Sequence, residues 1–200
     1  RAEGSELLAS CARTPGPHSE QSLLYGVEAL LSLDRADDAL QLLDEVQAVD
    51  PALTTTMRAR VLARQNKSEE ASAHVTRALA LVGASTRRET LRKLGKVLGA
   101  LGRFDDSFSI WKRIAPPDDV TDDTRWLVQS AIQCGRHSVA LEICSAARER
   151  GEYDPALLGL ELPLLERYSP NEAAEVINEI VRRNPADKVA QLNRSLLALR

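Results

Sequence analysis

The sequence predicts an all-α protein, built as an array of antiparallel helix hairpins. Three observations lead there. Aromatic residues make up only 4% of the chain, against 44% hydrophobic and 28% charged. That mix, rich in Ala, Leu, Arg and Asp/Glu, suits helix packing in water and offers a sheet little to build with. Small residues then recur at a period near 34, at Ala39, Ala71, Ser107, Ala140 and Ala173, a spacing at which helix–turn–helix units stack. Finally, glycines and prolines fall between the periodic stretches as punctuation.

Each unit can be read in order. "LSLDRADDALQLLDEVQAVDP" (31–51) turns at Asp34–Arg35 and then places Ala39, Leu43, Val46 and Pro51. The next turn is Asn66–Lys67, followed by Ala71, Val75 and Ala78. "LGALGRFDDSFSIWKRIAPP" (98–117) turns at Gly102–Arg103, followed by Ser107, Trp111 and Ile114. Gly135 precedes Ala140, Cys144 and Ala147, and the series closes with Ala173, Ile177, Ile180 and Pro185. The small residue lets two helices approach at their crossing. Larger residues one and two turns on fill the gap, and Phe108 and Trp111 are read as that filling rather than as a ligand site.

Boundary chemistry agrees with this reading. Asp50-Pro51, Pro116-Pro117, Asp154-Pro155 and Asn184-Pro185 end or begin helices, because Pro suits a first turn and disfavours helix before it. Ser169, Pro170 and Glu172 have the spacing of a capping box, and Thr121 is a second expected cap. The acidic pairs Asp37-Asp38, Glu69-Glu70, Asp105-Asp106 and Asp122-Asp123 open helices, where the helix dipole favours negative charge. The expected organisation is residues 1–19 as the end of a preceding helix (5–13) and a linker. Five repeats follow at about 20–51, 52–85, 86–119, 120–153 and 154–185, then a capping helix at 186–200. A chain opening at Arg1 rather than Met reads as a piece of a longer polypeptide.

With its period, its small residues and Leu91, Leu94-Gly95 and Leu98 in the third unit, the chain resembles the tetratricopeptide repeat (TPR) family. The best second-half matches are Ala39-Leu43-Val46-Pro51 and Ala173-Ile177-Ile180-Pro185. The likeness spans residues 20–185. It is a divergent one, since Leu, Thr or Ala replaces the family's first-helix Trp and Tyr. The resemblance implies a right-handed α-solenoid whose first helices line a concave groove, with ligand contacts at fixed places of each repeat. With Ala39, Ala71, Ser107 and Ala140 at place twenty, those places hold Arg60 and Arg64, then Arg92, Lys93 and Lys96, then Arg125, Gln129 and Gln133. The first repeat offers Leu24 and Glu28 instead. The fifth offers Leu158, Leu162 and Leu165, either a seat for the last helix or an apolar patch for a partner.

No catalytic motif emerges. His18, His74 and His137 lie in different repeats, none spaced to serve a Ser or Cys nucleophile, and no HExxH or phosphate-binding glycine loop occurs. Cys11, Cys134 and Cys144 have no metal-site spacing. No cofactor or metal is expected. Asn66-Lys67-Ser68 and Asn193-Arg194-Ser195 are glycosylation triplets that matter only in a secretory setting. A net charge of −3 and a pI near 5.7 argue against a nucleic-acid binder, and no apolar run reaches membrane-spanning length.

The expected function is therefore a non-catalytic scaffold that binds a protein or peptide, acidic by preference, through the basic places. The alternative is an accessory domain of a larger enzyme or of a polysaccharide-export or secretion protein. An odd cysteine count fits a reducing compartment better than an oxidising one, favouring the cytoplasm over the periplasm. The Ala/Arg/Leu-rich composition suits a high-GC bacterium.

Overall fold

The computed structural model describes residues 10, 19–46, 50–116, 120–152, 154–183, 185–186 and 188–197. Cys11, His18, Asn184 and most of the 5–13 segment lie outside them. The chain divides into two compact units, Arg1–Ile114 and Ala115–Arg200, and the described residues are helical with no strand.

In the first unit α1 (Ser19–Ser32) pairs with α2 (Ala36–Glu45), α3 (Pro51–Arg64) with α4 (Ser68–Leu81), and α5 (Arg88–Ala100) with α6 (Phe104–Ile114). The second unit holds α7 (Asp122–Gln133) with α8 (His137–Glu149), α9 (Pro155–Tyr168) with α10 (Pro170–Arg183), and α11 (Lys188–Leu197) against α10.

Four of the hairpin turns are built alike. Asp34, Asn66, Gly102 and Gly135 take positive φ, from 60° to 74°, each five residues before its small residue. In each, that residue's N–H donates to the carbonyl three back, and the next N–H donates to the carbonyl five back. This is the Schellman closure, which uses up carbonyls left open at a helix end. The following basic residue, Arg35, Lys67, Arg103 or Arg136, accepts the N–H of the small residue and so starts the second helix. Arg35 and Arg103 also reach Asp38 and Asp106 at 2.5 and 2.8 Å. All four acidic pairs sit in first turns, as expected.

The fifth turn differs. Ser169 has φ −146° and ψ 66°, without the positive φ of the other turns, and Pro170 opens α10 directly. The capping box expected here does not form as such, because the Ser169 N–H donates to Leu165 and Glu172 is turned to Arg148. Thr121 does cap α7, donating its N–H to Thr124 Oγ1. The Asp-Pro starts hold too. Asp50 accepts from Ala52 at 2.9 Å and Asp154 from Leu157 at 2.8 Å.

The five small residues are fully buried at the crossings. The α5/α6 hairpin closes on a very short approach. A methyl group placed on Gly95 would lie 2.7 Å from Trp111 Cε2, and Ser107 Oγ donates to the Gly95 carbonyl at 2.9 Å. Phe108 and Trp111 are buried; they are packing, as read. Leu162 and Leu165 are buried with Ala173, Val176 and Ile177 of α10, with Leu158 against them. The apolar-patch reading of those leucines is thereby corrected, since their own hairpin partner covers them. Leu24 likewise belongs to the core of α1–α3.

Candidate functional site

In the first unit α3 packs against both α1 and α5, so the first helices of three hairpins stand together. They carry Arg58, Arg60, Arg64, Arg88, Arg92, Lys93 and Lys96 against Glu20, Glu28 and Glu89, a net of four positive charges. The second helices carry Asp37, Asp38, Asp44, Glu45, Glu69, Glu70, Asp105 and Asp106 against Arg77, Lys112 and Arg113, a net of five negative ones. Within this unit, net positive charge therefore sits on the first helices and net negative charge on the second.

The centre of that charge is a shared carboxylate. Arg60 donates a terminal N–H to Glu28 Oε2 at 2.7 Å, and Lys93 donates to Glu28 Oε1 at 3.3 Å. Three successive first helices thus converge on one group. Lys93 also lies 3.9 Å from Glu89, which Arg92 approaches at 3.6 Å. Arg64 and Lys96 are exposed one turn along. Arg58 turns the other way and holds the Leu43 carbonyl and Asp44 at the end of α2. The signal for Glu28 was present in the sequence, in the same register place as Arg60 and Lys96. Its partners could not be read there, because a side chain's direction across helices depends on packing.

Arg125, Gln129 and Gln133 belong to α7 in the second unit. Arg125 is engaged there by Asp154 and Asp122. The hydrogen bond to Asp154 raises the Arg125 pKa. Burial alone would raise that of Asp154, but Arg125 and the Leu157 and Ala156 amides pull it below its ordinary value. Gln129 is half-buried and Gln133 exposed.

The second unit also holds charges that sequence reading missed. Glu161 is 1% exposed and accepts from Arg148 Nε at 2.9 Å. Arg148 also meets Glu172 at 3.3 Å. Burial raises the Glu161 pKa against the pull of Arg148. Cys144, buried nearby, is pushed up to about 12 by burial and by the Glu161 charge, which leaves it an inert thiol. An open cleft of about 800 Å³ lies alongside, lined by Arg148, Tyr168, Asn171, Glu172, Glu175 and Glu179. Its charged lining is three glutamates and one arginine, and Arg182 and Arg183 engage Glu179. His137 opens α8 and sits 2.8 Å from Tyr168 Oη. Among the described residues no cluster could hold a metal ion, and no helix is long and apolar enough to cross a membrane.

No protein-family model matches the sequence, and no curated protein is significantly similar to it. Solved structures do resemble it. A tetratricopeptide repeat protein from Parabacteroides merdae is 17% identical with a TM-score of 0.59, over 91% of this chain and 73% of its own. YrrB, a TPR protein with an unusual peptide-binding site, is 16% identical with a TM-score of 0.58, over 87% and 91%. The fold is that of a tetratricopeptide-repeat array. A chain of the APC/C hetero-tetramer Cut9–Hcn1 is also similar, at 10% identity and a TM-score of 0.55, over 98% of this chain and 39% of its own. In TPR terms, α1, α3 and α5 are first helices, the elements on which the basic places were counted.

Proposed function

We propose that this TPR array is a non-catalytic interaction scaffold that binds an acidic peptide or protein segment on the first-helix face of its first unit. Arg60, Arg64, Arg92, Lys93 and Lys96 contact the ligand. Arg125, Gln129 and Gln133 offer a further polar stripe on α7. One observation carries the reading: Arg60 and Lys93, from different helices, already converge on a carboxylate at 2.7 and 3.3 Å. Such charge-assisted bonds select carboxylates over neutral groups. Segregation of basic first helices from acidic second helices supports the same face. That YrrB has a peptide-binding site is consistent with a peptide ligand here.

The test is titration of a fluorescent hexaglutamate peptide into wild type and into Arg60→Glu/Lys96→Glu, with hexalysine as the opposite probe. Wild type should bind hexaglutamate, and the double reversal should weaken binding at least tenfold. Equal binding by both proteins would discard this face. Strongly salt-dependent binding of single-stranded RNA in preference to the peptide would overturn the acidic-peptide reading.

A further inference from the structure

Glu28 sits where a ligand carboxylate would sit. Its two oxygens are shared between cations of two other helices, Oε2 with Arg60 and Oε1 with Lys93. Bridging two cations in this way is the contact expected of an acidic ligand on a basic face. The bridge is also lightly held. Side-chain exposure is 33% for Arg60, 29% for Glu28 and 20% for Lys93, so water reaches all three groups and each pair is weaker than one sealed from solvent. Nor does it use the whole guanidinium. Glu28 takes a terminal nitrogen, while Arg60 Nε is buried and has no hydrogen-bond partner among the described residues. A guanidinium prefers to present a fork of two N–H groups to a carboxylate.

We propose that Glu28 is a built-in competitor for the anionic ligand, occupying the Arg60–Lys93 position until a ligand carboxylate displaces it. The inference rests on the acidic-peptide reading of this face. Its consequence is selectivity. A ligand with one carboxylate merely exchanges with Glu28 and gains little. A ligand with several reaches the exposed Arg64 one turn along α3 while the first carboxylate takes Glu28's place. Glu28 thus biases the face towards polyacidic segments and against single acidic side chains. Once displaced, its own charge has water to turn to, because it is already part-exposed.

The experiment is titration of hexaglutamate, and of a tetrapeptide carrying one Glu, into wild type, Glu28→Gln and Glu28→Asp, with circular-dichroism melts verifying the fold of each. Glu28→Gln should bind hexaglutamate about tenfold more tightly and should bind the single-Glu peptide measurably. Glu28→Asp, which keeps the charge, should stay near wild type and so separate competition from simple repacking. If wild type binds and the Arg60/Lys96 reversal abolishes binding, but Glu28→Gln binds no more tightly, the competitor role is wrong and the site stands. Tightening by Glu28→Asp equal to that of Glu28→Gln also overturns the competitor role. If neither wild type nor Glu28→Gln binds hexaglutamate, the reading of the site fails and the competitor falls with it.

Discussion

Two Arg–Glu pairs of nearly equal length join helices in this protein, and they do different work. Arg60–Glu28 in the first unit spans 2.7 Å with about a third of each side chain exposed. Arg148–Glu161 in the second spans 2.9 Å with its carboxylate 1% exposed. Geometry alone would rank them as equals. Burial separates them: water stands in for a lost partner at the first pair, while nothing replaces Arg148 for Glu161. The first unit closes its central joint by shape, with Gly95 under Trp111, and leaves the Arg60–Glu28–Lys93 charges on a part-exposed face. The second unit puts charge inside its helix packing. A part-exposed pair can exchange its partner for water; a core pair cannot.

The sharpest way to break this comparison is to remove the arginines one at a time. Arg148→Ala should cost about 3–5 kcal/mol by leaving a buried carboxylate uncompensated, and Arg60→Ala only about 0–1 kcal/mol. Denaturant unfolding reports the cost, with hydrogen exchange in α8–α10 locating it. Equal losses would dissolve the distinction. Next in size is the shape-closed joint. Gly95→Ala forces its methyl group onto the Trp111 ring and should cost about 1–3 kcal/mol, part of it recovered when Trp111→Leu is added. A neutral Gly95→Ala would mean that the indole has room to move.

The smallest effect is one of pH. Because Glu161 has a raised folded pKa, its contribution to stability is fully present below the ordinary carboxyl value of 4.5. It is lost as pH rises through the raised value. Arg148 and Glu172 face it, and Cys144 feels its charge. Relative to Glu161→Gln, which titrates no proton there, wild type should therefore gain stability as pH falls from 8 towards 5. Paired melts across that range check the sign, and a difference that does not change with pH would put Glu161 in water.

Much of the fold was legible because it depends on local chemistry. The turn residues Asp34, Asn66, Gly102 and Gly135 tolerate the left-handed conformation that closes a hairpin. The Asp-Pro starts at Pro51 and Pro155, the acidic first turns and the small residues at the crossings need only their neighbours along the chain. The fifth turn shows the limit. Ser169, Pro170 and Glu172 match the capping-box pattern, yet Glu172 is drawn off by Arg148, 24 residues away. A pattern of three residues cannot weigh a competing partner from another helix. Glu161 escaped for a related reason: within α9 it looks like any helix-forming glutamate, and its neighbours from α8 make it a core residue.

The sequence by itself determined an all-helical repeat with its hairpin joints, Phe108 and Trp111 as filling of the central hairpin and the cationic residues of its first helices. Those features follow from periodicity and from residue conformations, which act over a few residues. Only the tertiary structure decided how the charges pair, and so that Arg148 holds a buried carboxylate while Arg60 holds a part-exposed one. Pairing depends on the direction of side chains across helices and on how much water reaches them. Neither is written in spacing along the chain.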